Sequence, residues 1–272
     1  MTLEHDGVRL VCRDSGGPGP AVLLLHGLAG QSREWEPLGE RLGGRYRLLA
    51  LDQRGHGDSE PRPGDTSRAA FVADAVEAIR ALDVAPVILA GQSLGGVTAI
   101  QTAAAHPDLV AALLLVEAGA APGETGLPGQ IDGWLGSWPV PFATRGDAAG
   151  FFGGGPVGEG WAAGLVSTPD GLRPPFDPEV IVNVVADHVH RSNWEAWARI
   201  TCPATVVLGE QGILPAGEVA EMRRLRPDAR FVTVPQAGHD LHLDHPAAVA
   251  GELDELARRL LVTRCSATGR RG

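Results

Sequence analysis

Five consecutive residues, Gly91-Gln92-Ser93-Leu94-Gly95, constrain this chain more than any others. The apolar run Pro86-Val87-Ile88-Leu89-Ala90 leads into them, and an apolar-rich helical pattern from Leu94 to Ala105 leads out, closed by His106-Pro107. A strand that turns sharply into a helix needs small residues on both sides of the turn, because larger side chains would strike neighbouring backbone. The residue at the apex is held in a strained conformation, its side chain at the strand tip and the first N–H groups of the helix beside it. Here the apex is a serine, which makes Ser93 a candidate nucleophile on an elbow between strand and helix.

The flanking sequence alternates buried strands with helices. Residues 21–25 and 46–51 are continuous apolar runs, the pattern of parallel strands covered on both faces. Residues 8–13 read as an opening strand, and 112–116, 204–208 and 231–234 as further core strands. Helices are expected over 35–42, 66–82, 178–200 and 246–261; in the second, Phe71, Ala75, Ile79 and Leu82 recur at helical spacing. The class is α/β. Residues 118–175 break the rhythm: they are rich in Gly and Pro, hold Trp134, Trp138, Phe142, Phe151, Phe152 and Trp161, and are too long for a simple loop.

A chain of 272 residues with 44% hydrophobic content can bury a full core as one domain with an inserted subdomain. Its formal net charge of −10 argues against nucleic acid and anionic membrane surfaces as partners. No apolar run is long enough to span a bilayer, and no charged-apolar-small signal opens the chain. Cys12, Cys202 and Cys265 are scattered and odd in number, which suits a reduced, cytoplasmic protein better than a disulfide framework, and none has zinc-ligand spacing. The sequence carries no signal for oligomeric state.

Three further motifs join the elbow. Leu23-Leu24-Leu25-His26-Gly27-Leu28-Ala29-Gly30 is a buried strand running into a His-Gly turn; Asp52-Gln53-Arg54-Gly55-His56-Gly57-Asp58-Ser59 follows the next strand; Gly238-His239 stands near the end. In this order, over about residues 5–260, the four motifs closely resemble the α/β-hydrolase fold. The resemblance implies a mostly parallel sheet with helices on both faces and a cap inserted after the sixth strand. The core is then 1–117 with 201–262, the cap 118–200, and 263–272 a frayed tail.

A serine hydroxyl is a poor nucleophile at neutral pH, so it needs a base, and the base needs an orienting carboxylate. The resemblance assigns the base to His239, in the loop after the last apolar strand. The acid departs from the common pattern, in which an aspartate follows the seventh strand as G-x-x-D-x-x-x-P. Here that stretch reads Gly209-Glu210-Gln211-Gly212-Ile213-Leu214-Pro215, so the aspartate slot is Gly212. A minority of the family takes the acid from the end of strand six, which in this chain is Glu117. Its interval of 24 residues from Ser93 is that of the haloalkane dehalogenases and of zearalenone-lactonase-like hydrolases. Glu210 is the alternative acid if its loop is rearranged, and a triad with no acid is the third reading.

The resemblance places the oxyanion hole on the backbone N–H groups of Leu28 and Leu94. His26 is read as a buttress of the oxyanion loop, and residues 52–59 as a tied turn in which His56 is no base. Two clusters have ligand-like spacing, His239, His242 and His245 with Asp240 and Asp244, and Asp187-His188-Val189-His190. Neither is read as a metal site, and no cofactor is implied. Trp134, Trp138 and Trp194 are the candidates for the substrate pocket.

A serine at the elbow, where dehalogenases and epoxide hydrolases carry aspartate, points to acyl chemistry. The expected activity is hydrolysis of a small, fairly apolar carboxylic ester or lactone through an acyl-enzyme, with lactones favoured by the glutamate placement. The alternatives are a cofactor-free perhydrolase of haloperoxidase type, a C–C bond hydrolase, and, from another class, a ligand-binding or signalling protein with a weak triad.

Overall fold

The computed structural model describes residues 1–268, with side chains through residue 260; of the tail expected over 263–272, the part to Thr268 is helical and 269–272 lie outside the described residues. One sheet is built from β1 (Thr2–His5), β2 (Val8–Asp14), β3 (Ala21–Leu25), β4 (Arg47–Asp52), β5 (Val87–Gln92), β6 (Val110–Val116), β9 (Ala204–Gly209) and β10 (Arg230–Val234), while β7 (Val166–Thr168) and β8 (Gly171–Arg173) form a separate hairpin. The helices are α1 (Glu36–Leu42), α2 (Arg68–Ala81), α3 (Ser93–Ala105), α4 (Leu127–Gly136), α5 (Arg145–Phe151), α6 (Gly155–Ala163), α7 (Pro178–Val189), α8 (Trp194–Arg199), α9 (Ala216–Leu225), α10 (Leu241–Asp244) and α11 (Pro246–Thr268).

The sheet order is β1-β2-β4-β3-β5-β6-β9-β10. Only β1 with β2 and β2 with β4 are antiparallel; every other pair is parallel. Successive residues of a strand face opposite sides of a sheet. Leu23 and Leu25 therefore join one core with Ile79 of α2, Ile100 of α3 and Trp197 of α8. Val22 and Leu24 join the other with Leu38 of α1 and Leu253 of α11. Helices on both faces explain why the central strands read as apolar runs and not as alternations.

The helix expected over 178–200 is two helices. Asn193, buried between them, donates its backbone N–H to the Ala120 carbonyl at 2.9 Å and accepts from Gln101 Nε2 at 2.7 Å. Those bonds pin the chain to the sheet domain, and α8 starts afresh from there. It packs on α3 and α9, with the Trp197 indole donating to the Met222 carbonyl at 2.9 Å. The segment between β6 and α8 instead gathers Trp138, Phe142, Leu165, Phe176 and Ile181 into a cluster of its own, seated on Ala29 in the loop after β3. The edge strand β1 and the β7–β8 hairpin have no counterpart in the sequence reading; both are short, and no apolar run marks them.

Candidate active site

The carboxyl ends of β3, β5 and β6 and the loop after β10 meet at one cavity of about 760 Å³. Ligands gather at this edge in open parallel sheets. Ser93, Glu117 and His239 all line the cavity, as do Leu28 and Leu94.

Ser93 has a φ of 48°, a left-handed value that a non-glycine residue adopts only where its surroundings hold it. Those surroundings are glycines. A Cβ on Gly91 would stand 2.5 Å from the Gly95 carbonyl oxygen, and one on Gly95 would strike the carbonyls of Leu25 and His26. The first keeps the turn closed and the second lets α3 press against the end of β3. Leu94, in the first turn of α3, carries one of the N–H groups that a helix leaves without an internal acceptor.

Glu117 lies just past β6 and is 1% exposed. Its Oε1 accepts the Gly209 N–H at 2.7 Å; its Oε2 accepts the Ile213 N–H at 2.9 Å and faces His239 Nδ1 at 3.4 Å. Glu210, the alternative acid, is exposed, accepts the Gln236 N–H at 2.9 Å and does not line the cavity. A Cβ at Gly212 would collide with the Glu117 carboxylate, so the glycine at the usual aspartate slot leaves the room that the glutamate fills.

The loop after β3 is fixed from below. His26 is fully buried; its Nδ1 bonds the Gly27 carbonyl at 2.7 Å, and its Nε2 accepts the Gln53 N–H at 3.0 Å. Gln53 also donates its amide to the His26 carbonyl at 2.7 Å. Burial pushes the His26 ring down to about 4 and the His56 ring down to about 3, so both are neutral at pH 7. The Asp52 carboxylate holds the turn of residues 52–59 by accepting from the N–H groups of Ser32 at 2.6 Å and Asp58 at 3.0 Å. His56 bonds the Arg54 carbonyl and does not line the cavity.

Of the three candidate pocket tryptophans, only Trp134 lines the cavity, with 37% of its surface exposed. Trp138 is buried among the rings of Trp134, Phe152, Trp161 and Phe176 at centroid distances of 4.8–6.0 Å, and serves as core of the inserted segment. Trp194 opens α8 and packs into the sheet domain's core, away from the cavity, because the break at Asn193 assigns α8 to that domain. Three wall residues went unassigned in the sequence. Trp161 donates its indole N–H to Asp240 Oδ2 at 3.1 Å, fastening the inserted segment to the residue beside His239. Gln92 reaches His239, and His188 of α7, pushed down to about 4 by burial and the nearby Arg68 charge, closes the wall. These contacts are long-range, and no local pattern announces them.

Among the described residues, no three His, Cys, Asp or Glu side chains converge as a metal site. His242 turns inward to Glu34 at 3.4 Å, and burial raises the Glu34 carboxyl above its ordinary range. Among the described residues, no helix is long and apolar enough to cross a membrane.

Residues 22–252 match the model of the alpha/beta hydrolase family. An uncharacterized protein of Mycobacterium tuberculosis is 40% identical over 103 residues, 38% of this chain, and the match spans 30% of that relative's length. The 2-(acetamidomethylene)succinate hydrolase of Mesorhizobium japonicum is 29% identical over 231 residues, 82% of each chain. Among solved structures, an E-2-(acetamidomethylene)succinate hydrolase superposes with a TM-score of 0.85 at 26% identity, covering 95% of this chain and 98% of that one.

Proposed function

Because the chain belongs to the alpha/beta hydrolase family, we propose that it is a serine hydrolase that cleaves a small, neutral, fairly apolar carboxylic ester or lactone through an acyl-enzyme. The observation that carries this reading is the Glu117 carboxylate facing His239 Nδ1 at 3.4 Å, on the cavity that Ser93 also lines. With Nδ1–H directed at Glu117, Nε2 is left as the base. It takes the Ser93 proton as the oxygen attacks the carbonyl carbon, and the N–H groups of Leu28 and Leu94 receive the oxyanion. The imidazolium then protonates the leaving alcohol, and water, activated by the same nitrogen, frees the acid and restores Ser93. In this reading the segment from 118 to the start of α8 is a cap, and Leu127, Ile131, Trp134 and Trp161 are the apolar wall that receives substrate. The free thiols of Cys12 and Cys202 fit a cytoplasmic setting.

The likeness to a hydrolase of 2-(acetamidomethylene)succinate favours a second reading, a substrate of that kind. The charge of the wall weighs against it. Glu124, Glu218 and Asp240 line the cavity, and among the described residues no arginine or lysine does. A doubly anionic substrate would enter against like charge. A ligand-binding role loses its main support once the Gly212 slot is occupied by Glu117.

The test is intact mass after brief exposure to a fluorophosphonate, with Ser93→Ala beside the wild type. Rapid one-to-one labelling of the wild type alone supports the reading, and a panel of neutral esters, lactones and the matching carboxylated esters then separates the substrate classes. No labelling overturns it.

A further inference from the structure

The two nitrogens of His239 are met by the ends of adjacent strands. Val116 of β6 pairs with Gln92 of β5, so Glu117 and Gln92 stand at neighbouring strand ends. Glu117 faces Nδ1 at 3.4 Å. Across the ring, Gln92 Nε2 is 3.3 Å from His239 Nε2 and also 3.3 Å from the His239 carbonyl oxygen. Gln92 is 3% exposed, and its Oε1 fills the space where a Cβ on Gly27 would project, so the amide is packed against the oxyanion loop as well.

We propose that Gln92 is a positioning residue for the base: its amide holds the imidazole in the tautomer and orientation that catalysis needs. The proposal rests on the reading of His239 as the base. A carbonyl oxygen can only accept, so the NH2 end of the Gln92 amide must face it. That same NH2 group then meets the ring at Nε2, which must be the bare nitrogen, and the ring proton sits on Nδ1, towards Glu117. Gln92 and Glu117 thus select one tautomer from opposite edges.

The contact also sets a competition. Among the described residues, Nε2 is met by Gln92 and not by Ser93. The serine proton must displace the amide as attack begins. Once Nε2 is protonated, the amide donor opposes the new N–H, which favours handing the proton to the leaving group. A donor on Nε2 stabilises the neutral ring, so its loss makes the ring easier to protonate. The charged and titratable groups that share the cavity with the ring are Glu34, Glu117, Glu124, His188, Glu218 and Asp240, and the variants below alter none of them.

The experiment pairs 15N NMR of the histidine rings, with His239 assigned by its loss in His239→Gln, and the pH profile of fluorophosphonate labelling. In the wild type, His239 should show a protonated Nδ1 and a bare Nε2. Gln92→Met should mix the tautomers and move the acid limb of labelling up by about half a pH unit or more. Gln92→Glu, which places an acceptor at Nε2, should move the proton to that nitrogen and shift the limb further. Gln92→Asn keeps an amide but withdraws it by one methylene, and should behave as Gln92→Met if the latter fails to fold. Identical ring spectra and identical limbs in all variants would overturn the proposal. Absence of labelling would sink the serine-hydrolase reading alone, because the ring tautomers are read without turnover.

Discussion

The carboxylate of Glu117 occupies the volume into which any side chain at Gly212 would project. The two positions are 95 residues apart, on the loops after β6 and β9, which are neighbours in the sheet. What reads in the sequence as a missing acid is an exchange of place, with the carboxyl group arriving from the adjacent strand end. Glu117 has a φ of 47°, and its carboxylate takes the Gly209 N–H on Oε1 and the Ile213 N–H on Oε2, the oxygen that also faces His239. The acid therefore organises the very loop that lacks one.

Glu117→Gln keeps the shape but presents an amide where two backbone donors and a ring N–H expect a carboxylate. Turnover of the best ester should fall by about a hundredfold to ten-thousandfold, with KM little changed. Glu210→Gln should stay within about twofold, since its carboxylate serves only the Gln236 N–H outside the cavity. Steady-state kinetics of both variants on one substrate make the check. Equal losses would remove Glu117 from the triad.

The exchange can be reversed. Gly212→Ala should displace the Glu117 carboxylate and cost activity at least about tenfold, along with about 1–3 kcal/mol of stability from overpacking. Glu117→Gly clears the space and suits the positive φ at 117. Gly212→Asp added to that background should recover a measurable part of the lost turnover, whereas Gly212→Asp alone should not improve on the wild type. Comparing the double variant with Glu117→Gly alone reads the effect directly.

Trp134 and Trp138 touch at a centroid distance of 5.0 Å yet stand on different sides of a boundary. Trp138 is core, so Trp138→Ala should lower stability by about 3–5 kcal/mol, visible as an earlier urea midpoint. Trp134 faces the cavity with 37% of its surface exposed. Trp134→Ala should cost under about 1 kcal/mol and register instead as a raised KM or an altered preference for acyl chain length.

Much of this arrangement is legible in the sequence, and the boundary of legibility has a physical cause. The α/β class and the continuous strands follow from local apolar runs, and Ser93 from its glycine-bounded turn, whereas Leu28 and His239 are placed by the family resemblance that the order of the four motifs carries. The division of 178–200 follows from neither, because Asn193 breaks the helix through bonds to Ala120 and Gln101, residues far off in the chain. That one break misassigns Trp194 to the pocket. The tryptophans of the inserted segment have no strand register to fix them, so composition alone cannot tell Trp138 from Trp134. Gln92 sits inside the most conspicuous motif, but its reach to His239 depends on how the loop after β10 closes over β5.

Buried neutral histidines beneath the loop after β3 make stability depend on pH. His26 donates from Nδ1 to the Gly27 carbonyl and accepts at Nε2 from Gln53, so a second ring proton would face an N–H donor. Its folded value, pushed down to about 4, lies below the unfolded value near 6.5, and His56 is lower still, at about 3. As pH falls below 6.5 the unfolded chain binds protons that the folded chain refuses, so stability must drop. The loss begins near pH 6.5 and continues until the folded rings titrate, with each histidine contributing up to about 2 kcal/mol by pH 5. Urea denaturation from pH 7.5 to 5 should show midpoints falling with pH. In His26→Asn, which has an amide in place of the titrating ring, the slope should be shallower, even if the variant is less stable at every pH. Parallel slopes in the two proteins would show that His26 is not the group refusing the proton.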